Sequence, residues 1–416
     1  MSRPDRRKTA ASVFLGALAL RLAYAWRQGL PVPIVGDALE YHDYALHLVE
    51  TGRYFGTYGD KATRMPGYPL FLALCRALSG GSLAATVAAQ CVLGAATCLL
   101  LYRLARRLLP EPWPAVCGAL AAGYYGLIAP CSSLISESVF SFFLVASAYA
   151  LYESAWSLER RAAGFGGLGA LLYLIRPEPL PYLLATAASL PRLLPGFKRA
   201  HALRALAALA LVSGLWVGRN FAVFGRLVPA STMGKTVAYL GLFLPAERLG
   251  LAEGRHYPPA GLTELEREDD FAAELKTLAA RLTWPQIARC YLYNLLSILY
   301  PFLPEYDWTY VFVLPFALVG AWLSVRRKDL RPFAGAIACS LSTFMVFGGY
   351  ASRYRQGIAP FVVLLGAAGM AELWKRAGAA RARAWTVSWL GANLAVWLFG
   401  TQARLVALRF REVLVR

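Results

Sequence analysis

Residues 83–102 read LAATVAAQCVLGAATCLLLY, twenty consecutive positions without a charged side chain, and Arg103, Arg106 and Arg107 follow directly. A helix of that length rises about 30 Å, the thickness of the hydrocarbon core of a bilayer. Apolar runs recur at 9–27, 113–130, 137–155, 164–175, 178–194, 202–217, 309–325, 332–348, 357–373 and 384–400. The expected fold is therefore an all-α polytopic membrane protein with about eleven transmembrane helices and interfacial helices in its first outer loop.

Composition agrees. The 416 residues are 58% hydrophobic and only 16% charged, with a mean hydropathy of +0.46. A soluble domain carries about 25% charged residues, so a water-soluble enzyme is excluded. Lys and Arg number 43 against 24 Asp and Glu, a formal charge of +19. In a bilayer protein that excess marks cytoplasmic loops and attracts anionic lipid; it does not call for nucleic acid. The clusters Arg103–Arg107, Arg160-Arg161, Arg192 to Arg204, Arg326 to Arg331 and Lys375 to Arg383 occupy alternate connections and, with Arg3 to Lys8, define one face. The N-terminus is then cytoplasmic. The same count puts the basic tail (Arg404, Arg409, Arg411, Arg416) outside, unless a span is miscounted or the tail lies on the membrane as an amphipathic helix. Residues 1–28 have the outline of a signal peptide, but Arg21 breaks the apolar core, and a retained first span is expected.

The seven cysteines form no C-x-x-C and fall mostly in apolar runs, and the four histidines have no metal spacing. No metal ligand set is expected from them. Three segments follow: a membrane module over 1–217 whose first outer loop (28–82) carries the chemistry, an outer-face segment over 218–306, and a second membrane module over 307–416.

Polar residues gather on the side opposite the basic clusters. In Gly36-Asp37-Ala38-Leu39-Glu40-Tyr41-His42-Asp43-Tyr44, Asp37, Glu40 and Tyr44 share a helix face. Asp37 is either an N-cap of a surface helix or a carboxylate held at the membrane boundary as a general base. Arg64, beside the rigid Pro66-Gly67-Tyr68-Pro69 turn, is placed to hold a phosphate or simply to border a loop re-entering the membrane. Glu137 opens a span, where it suits the helix dipole or serves a site. Arg176-Pro177-Glu178 breaks two spans, as an ion pair or as part of that site. Arg353-Tyr354-Arg355 begins a span on the outer side, against the positive-inside bias, and two arginines there suit a phosphate.

These motifs, in order, resemble a known group. Gly-Asp-Ala-x-x-Tyr, Arg-x-Pro-Gly-Tyr-Pro-Leu, Ser-Glu-Ser, Leu-Ile-Arg-Pro-Glu, Arg219-Asn220-Phe221 with Gly225, Pro229 and Ser231-Thr232, and Ser-Arg-Tyr-Arg resemble the GT-C fold membrane glycosyltransferases. The nearer likeness is to the branch of aminoarabinose transferases and protein O-mannosyltransferases, over about residues 10–373. The resemblance implies transfer of a sugar, with inversion, from a polyprenyl-phosphate donor to a lipid, glycan or protein acceptor on the non-cytoplasmic side of the inner (plasma) membrane. Asp37 would be the catalytic base. Arg353 and Arg355, flanking Tyr354, would hold the lipid phosphate, while Arg64, Glu40, Glu137 and Arg176 would line the substrate cavity. No cofactor is implied beyond an optional divalent metal such as Mg2+ or Mn2+. Where the protein mannosyltransferases carry adjacent Asp-Glu, this chain has Asp37-Ala38, with Glu40 three residues on. The alternative from another class is a transporter or flippase of a lipid-linked sugar. Transporters tend to carry internal repeats and midplane charges; this sequence shows no repeat, and its polar residues collect at one edge.

Overall fold

A computed structural model describes residues 3–29, 33–302, 306–348, 352–400, 402 and 404–406. Tyr350, the basic residues Arg409, Arg411 and Arg416, and Arg3's side chain lie outside the described part. Seventeen α-helices, and no strand among the described residues, make up the chain. The first six are α1 (Arg3–Gln28), α2 (Asp37–Thr51), α3 (Gly67–Ser79), α4 (Leu83–Leu108), α5 (Trp113–Gly123) and α6 (Tyr125–Ile128). Then come α7 (Glu137–Tyr152), α8 (Leu158–Ile175), α9 (Leu180–Leu193), α10 (Arg199–Phe224), α11 (Gly234–Arg248) and α12 (Glu264–Arg281). The series closes with α13 (Trp284–Leu299), α14 (Trp308–Leu323), α15 (Arg331–Phe347), α16 (Arg355–Ala377) and α17 (Ala379–Leu398).

Every apolar run lies largely on one of these helices, but the helices are unequal. Five are long and apolar enough to cross a membrane: Asp5–Gln28, Leu83–Leu108, Arg199–Phe224, Lys328–Phe347 and Arg355–Ala377. A sixth crossing exists if Trp113–Gly123 and Tyr125–Ser132, bent by 68°, form one broken span. The others fall short of the eleven full spans expected. Helix α9, for example, has 14 residues; its rise of about 21 Å does not match a core of about 30 Å.

Two helices set the interior. In α16 every residue from Arg355 to Met370 is buried, so it runs through the bundle rather than along its surface. Its tight partner is α14. A methyl group on Gly369 would lie 1.9 Å from the Phe316 carbonyl oxygen, and one on Gly320 2.0 Å from that of Leu365. Small residues here let two backbones touch, which is how helices associate where apolar burial alone gives little drive. Helix α1 packs on α4 and α5. Its Arg21 is fully buried, donating to the carbonyls of Ala17 (3.0 Å) and Ala122 (3.4 Å) and to the Cys98 sulfur (3.1 Å). The charge that interrupts the first apolar run is thus accommodated inside the bundle.

Candidate functional site

The first loop forms two short helices, α2 and α3, joined by an irregular stretch. Gly36 takes the position before α2 with φ +57°, a conformation that suits a residue lacking Cβ. Asp37 is consequently the first helical residue, not the cap. Its carboxylate is spent elsewhere. Arg64 donates from Nη2 to Asp37 Oδ1 at 2.7 Å and from Nε to Glu40 at 2.7 Å. From the far end of the sequence, Arg353 donates to Asp37 Oδ2 at 2.5 Å. Asp37 therefore bridges two guanidiniums, each oxygen facing one. Burial works to raise its carboxyl pKa, but Arg64 and Arg353 outweigh it and hold the group below its ordinary value.

A second charged group lies across the same hollow. Arg176 follows α8 in extended conformation (φ −153°, ψ 137°), because the next residue, Pro177, disfavours continuing the helix. Its guanidinium reaches Glu137 at 3.2 Å and Glu178 at 2.7 Å. The rings of Tyr354, Phe344 and Phe140 surround it, 5.6 to 5.8 Å from the guanidinium carbon. Tyr354 stacks on Phe344 with centroids 4.5 Å apart. Glu137 is set by the segment before α7. There Gln90 of α4 donates to the carbonyls of Cys131 and Ser133 while accepting the Tyr68 hydroxyl of α3.

The space between these groups is a cavity of about 470 Å³, with Asp37, Arg64, Glu137, Arg176, Arg353 and Tyr354 all in its wall. Its remaining wall is largely apolar, including Ile135, Leu180, Val237, Phe344 and Phe347. Residues from the beginning, middle and end of the chain thus meet in one hollow lined by both charged and apolar groups. A second cavity of about 280 Å³ adjoins it, sharing Thr63 and Met233, and is lined by Glu40, Tyr44, Thr57, Asp60, Glu264 and other polar groups. Arg64 stands between the two, bonded to Asp37 of one and Glu40 of the other.

Two expected site residues are placed differently. Arg355 does not face the cavity. It is 2% exposed, paired with Asp307 at 3.2 Å, bonded to the Tyr300 carbonyl and stacked over Tyr310 at 3.9 Å. Because Arg353 precedes α16 while Arg355 is already its first residue, their side chains diverge, and only Arg353 stays in the hollow. Glu40 reaches the first cavity only through Arg64. Sequence reasoning also missed Tyr41, which lies one turn after Asp37 and under Arg64 at 5.1 Å, and Glu178, although both sit within motifs it quoted. The i,i+4 spacing from Asp37 was the available signal for Tyr41.

Among the described residues no three His, Cys, Asp or Glu side chains come together as a metal-holding group. At Asp37 the partners are guanidiniums, so the residues present do not compose a cation site.

No family model matches the chain, and no curated protein matches it. Among the solved structures similar to it are two of one protein. Both are crystal structures of the Archaeoglobus fulgidus oligosaccharyltransferase, one a complex with Zn and sulfate, the other the apo form. Each superposes with a TM-score of 0.49 at 12% identity, over 96% and 97% of this chain. The chain spans about half the length of those proteins, 52% and 55%. At that score and identity, the likeness by itself assigns no activity to this chain.

Proposed function

We propose that the chain is a membrane glycosyltransferase of the GT-C type, near the aminoarabinose and protein O-mannosyl branch, that moves a sugar from a polyprenyl-phosphate donor to an acceptor hydroxyl or similar nucleophile. The observation that carries this reading is the Arg64–Asp37–Arg353 bracket set into a hollow with an apolar wall. Such a donor has an apolar tail, an anionic phosphate and a sugar, and the hollow has both an apolar wall and cationic groups. Its position on the non-cytoplasmic side of a plasma membrane belongs to the same proposal, and the arginine bias of the loops speaks for it.

The chemistry is a single displacement. The acceptor oxygen attacks the anomeric carbon from the face opposite the phosphate, giving inversion. The carbon–oxygen bond to phosphate breaks, and its electron pair stays on the phosphate oxygen. The acceptor proton passes to Asp37. Arg353 offsets the charge that grows on the leaving phosphate. It suits that role because its side chain is 44% exposed and holds Asp37, so an arriving phosphate competes for it directly. As Arg353 turns to the phosphate, Asp37 loses one of the two cations that keep it a weak base. Arg355, buried on Asp307, has no part in this step. The polar second cavity, on the far side of Arg64, is the proposed seat of the acceptor.

The test is to supply the protein in lipid bilayers with a panel of polyprenyl-phosphate sugars and crude acceptors and to measure released polyprenyl phosphate. Release and transfer by the wild type, abolished by Asp37→Asn, support the reading. Passage of lipid-linked sugar across the bilayer without release overturns it in favour of a flippase.

A further inference from the structure

The irregular stretch that delivers Arg64 cannot satisfy its own backbone. Residues 60–65 form neither helix nor strand, yet Ala62 is fully buried, and a buried N–H left without a partner costs as much as a lost hydrogen bond. The missing acceptors come from a helix two hundred residues later. Glu264, in the first turn of α12 and 9% exposed, accepts the Lys61 N–H on Oε2 at 2.7 Å and the Ala62 N–H on Oε1 at 2.8 Å. The Thr232 hydroxyl donates to the same Oε1, and the Thr232 N–H donates to the Ala62 carbonyl at 2.9 Å. One turn on, Arg267 pairs with Asp60. Glu268 accepts the N–H groups of Lys235 (2.8 Å) and Thr236 (3.0 Å) at the start of α11. Three residues at i, i+3 and i+4, on one helix face, therefore tie α12 to the first loop and to α11.

We infer that Glu264 is a positioning residue of the candidate site: its carboxylate fixes the backbone of residues 61–62 and thereby the direction from which Arg64 grips Asp37. The path is short. Thr63 donates its N–H to the Tyr44 hydroxyl (3.2 Å), and Tyr54 donates to the Arg64 carbonyl (3.0 Å). Between Glu264 and the Arg64–Asp37 contact there are thus only two residues of clamped backbone. A carboxylate is the group this needs, because its two oxygens accept from adjacent N–H groups at once and charge assistance makes both bonds strong. An amide has one acceptor oxygen, and its NH2 would face the Lys61 N–H. This gives α12 a task in the site although none of its residues lies in the wall of the larger cavity.

The inference rests on the transferase reading for its kinetic arm only. Glu264→Gln, Arg64→Lys and the double variant are compared in lipid. Glu264→Gln lowers kcat by about 10–100-fold, the loss expected when a catalytic contact is displaced by about 1 Å, while donor KM stays close to wild type and the thermal midpoint falls modestly, as one backbone N–H loses its acceptor. The double variant is no slower than Arg64→Lys alone, since both changes strike one contact. Hydrogen exchange at the amides of residues 61–64 quickens in Glu264→Gln, with α4 and α16 unchanged. Arg267→Gln, a milder cut at the half-exposed end of the same face, shows the same coupling with a smaller loss. Multiplicative losses in the double variant, an unchanged kcat, or unchanged exchange at 61–64 overturns the inference. If the wild type transfers no sugar, the functional reading falls by itself, and hydrogen exchange still decides whether Glu264 sets the loop.

Discussion

Arg353 donates to Asp37 across 316 residues of sequence, at 2.5 Å, and takes the carboxylate oxygen that Arg64 leaves open. That contact joins the start of α2 to the approach to α16, a helix buried along most of its length. In the proposed transfer, a group that holds the base and also suits the leaving phosphate would link donor arrival to the strength of the base.

Asp37→Asn keeps the shape of the side chain and removes its capacity to take a proton. Transfer, read as released polyprenyl phosphate, is expected to fall by about 10²–10⁴-fold, the usual worth of a positioned base. Donor binding, measured separately, stays within a few fold.

Arg353→Ala changes the pH profile as well as donor affinity. In the wild type Arg64 and Arg353 hold the Asp37 carboxyl low against the opposing effect of burial. As the proposed base Asp37 would act deprotonated, so activity is expected to be retained above its pKa and lost as pH falls through it. Without Arg353 burial is less opposed, the pKa rises, and the acid limb of kcat/KM moves to higher pH. Donor KM rises at the same time. An acid limb that stays in place, or moves lower, contradicts the bracket as described.

Arg355→Ala behaves differently although it is two residues away. It leaves Asp307, itself 2% exposed, as a buried charge without a cation. The expected cost is about 3–5 kcal/mol of stability, seen as lost yield and a lower thermal midpoint in detergent. Arg353→Ala, at the rim of the hollow, changes that midpoint little.

Arg176→Met strands two carboxylates, Glu137 and Glu178, whose side chains are 5% and 9% exposed. A loss of about 3–5 kcal/mol is expected from the uncompensated charges. Adding Glu137→Gln and Glu178→Gln to Arg176→Met restores most of the thermal midpoint, because the penalty lies in the unpaired charge and not in the lost packing. Transfer stays impaired in both.

Gly67→Ala tests the turn that follows Arg64. A Cβ there would lie 2.8 Å from the backbone of Leu174 and Ile175, and backbone cannot step aside as a side chain does. Overpacking of this kind costs typically about 1–3 kcal/mol, and the shift of α3 against α8 reaches both Arg64 and Arg176. Activity is expected to fall further than the thermal midpoint suggests.

The sequence by itself determined the class of this protein. Runs such as 83–102 lack the polar surface that water demands, so the helices and their apolar character follow from composition and length alone. It also marked most of the hollow. Asp37, Arg64, Glu137, Arg176, Arg353 and Tyr354 stood out as charged or aromatic residues at helix ends next to apolar runs, and all of them line one cavity. Two things were decided only by tertiary structure. One is how the apolar runs divide into helices of unequal length, since a run such as 178–194 reads the same whatever the length of its helix, here the 14-residue α9. The other is the partner of each charge. Arg353 and Arg355 share a motif and a chemistry, yet one faces the hollow and the other is buried on Asp307. Glu264 sits in an acidic stretch that runs to Asp270, and its partners, two backbone N–H groups of residues 61–62, leave no trace in side-chain pattern. Local sequence fixes where a charge can be tolerated, whereas the group that neutralises it, whether Glu178 beside Arg176 or Asp37 far from Arg353, is chosen by packing.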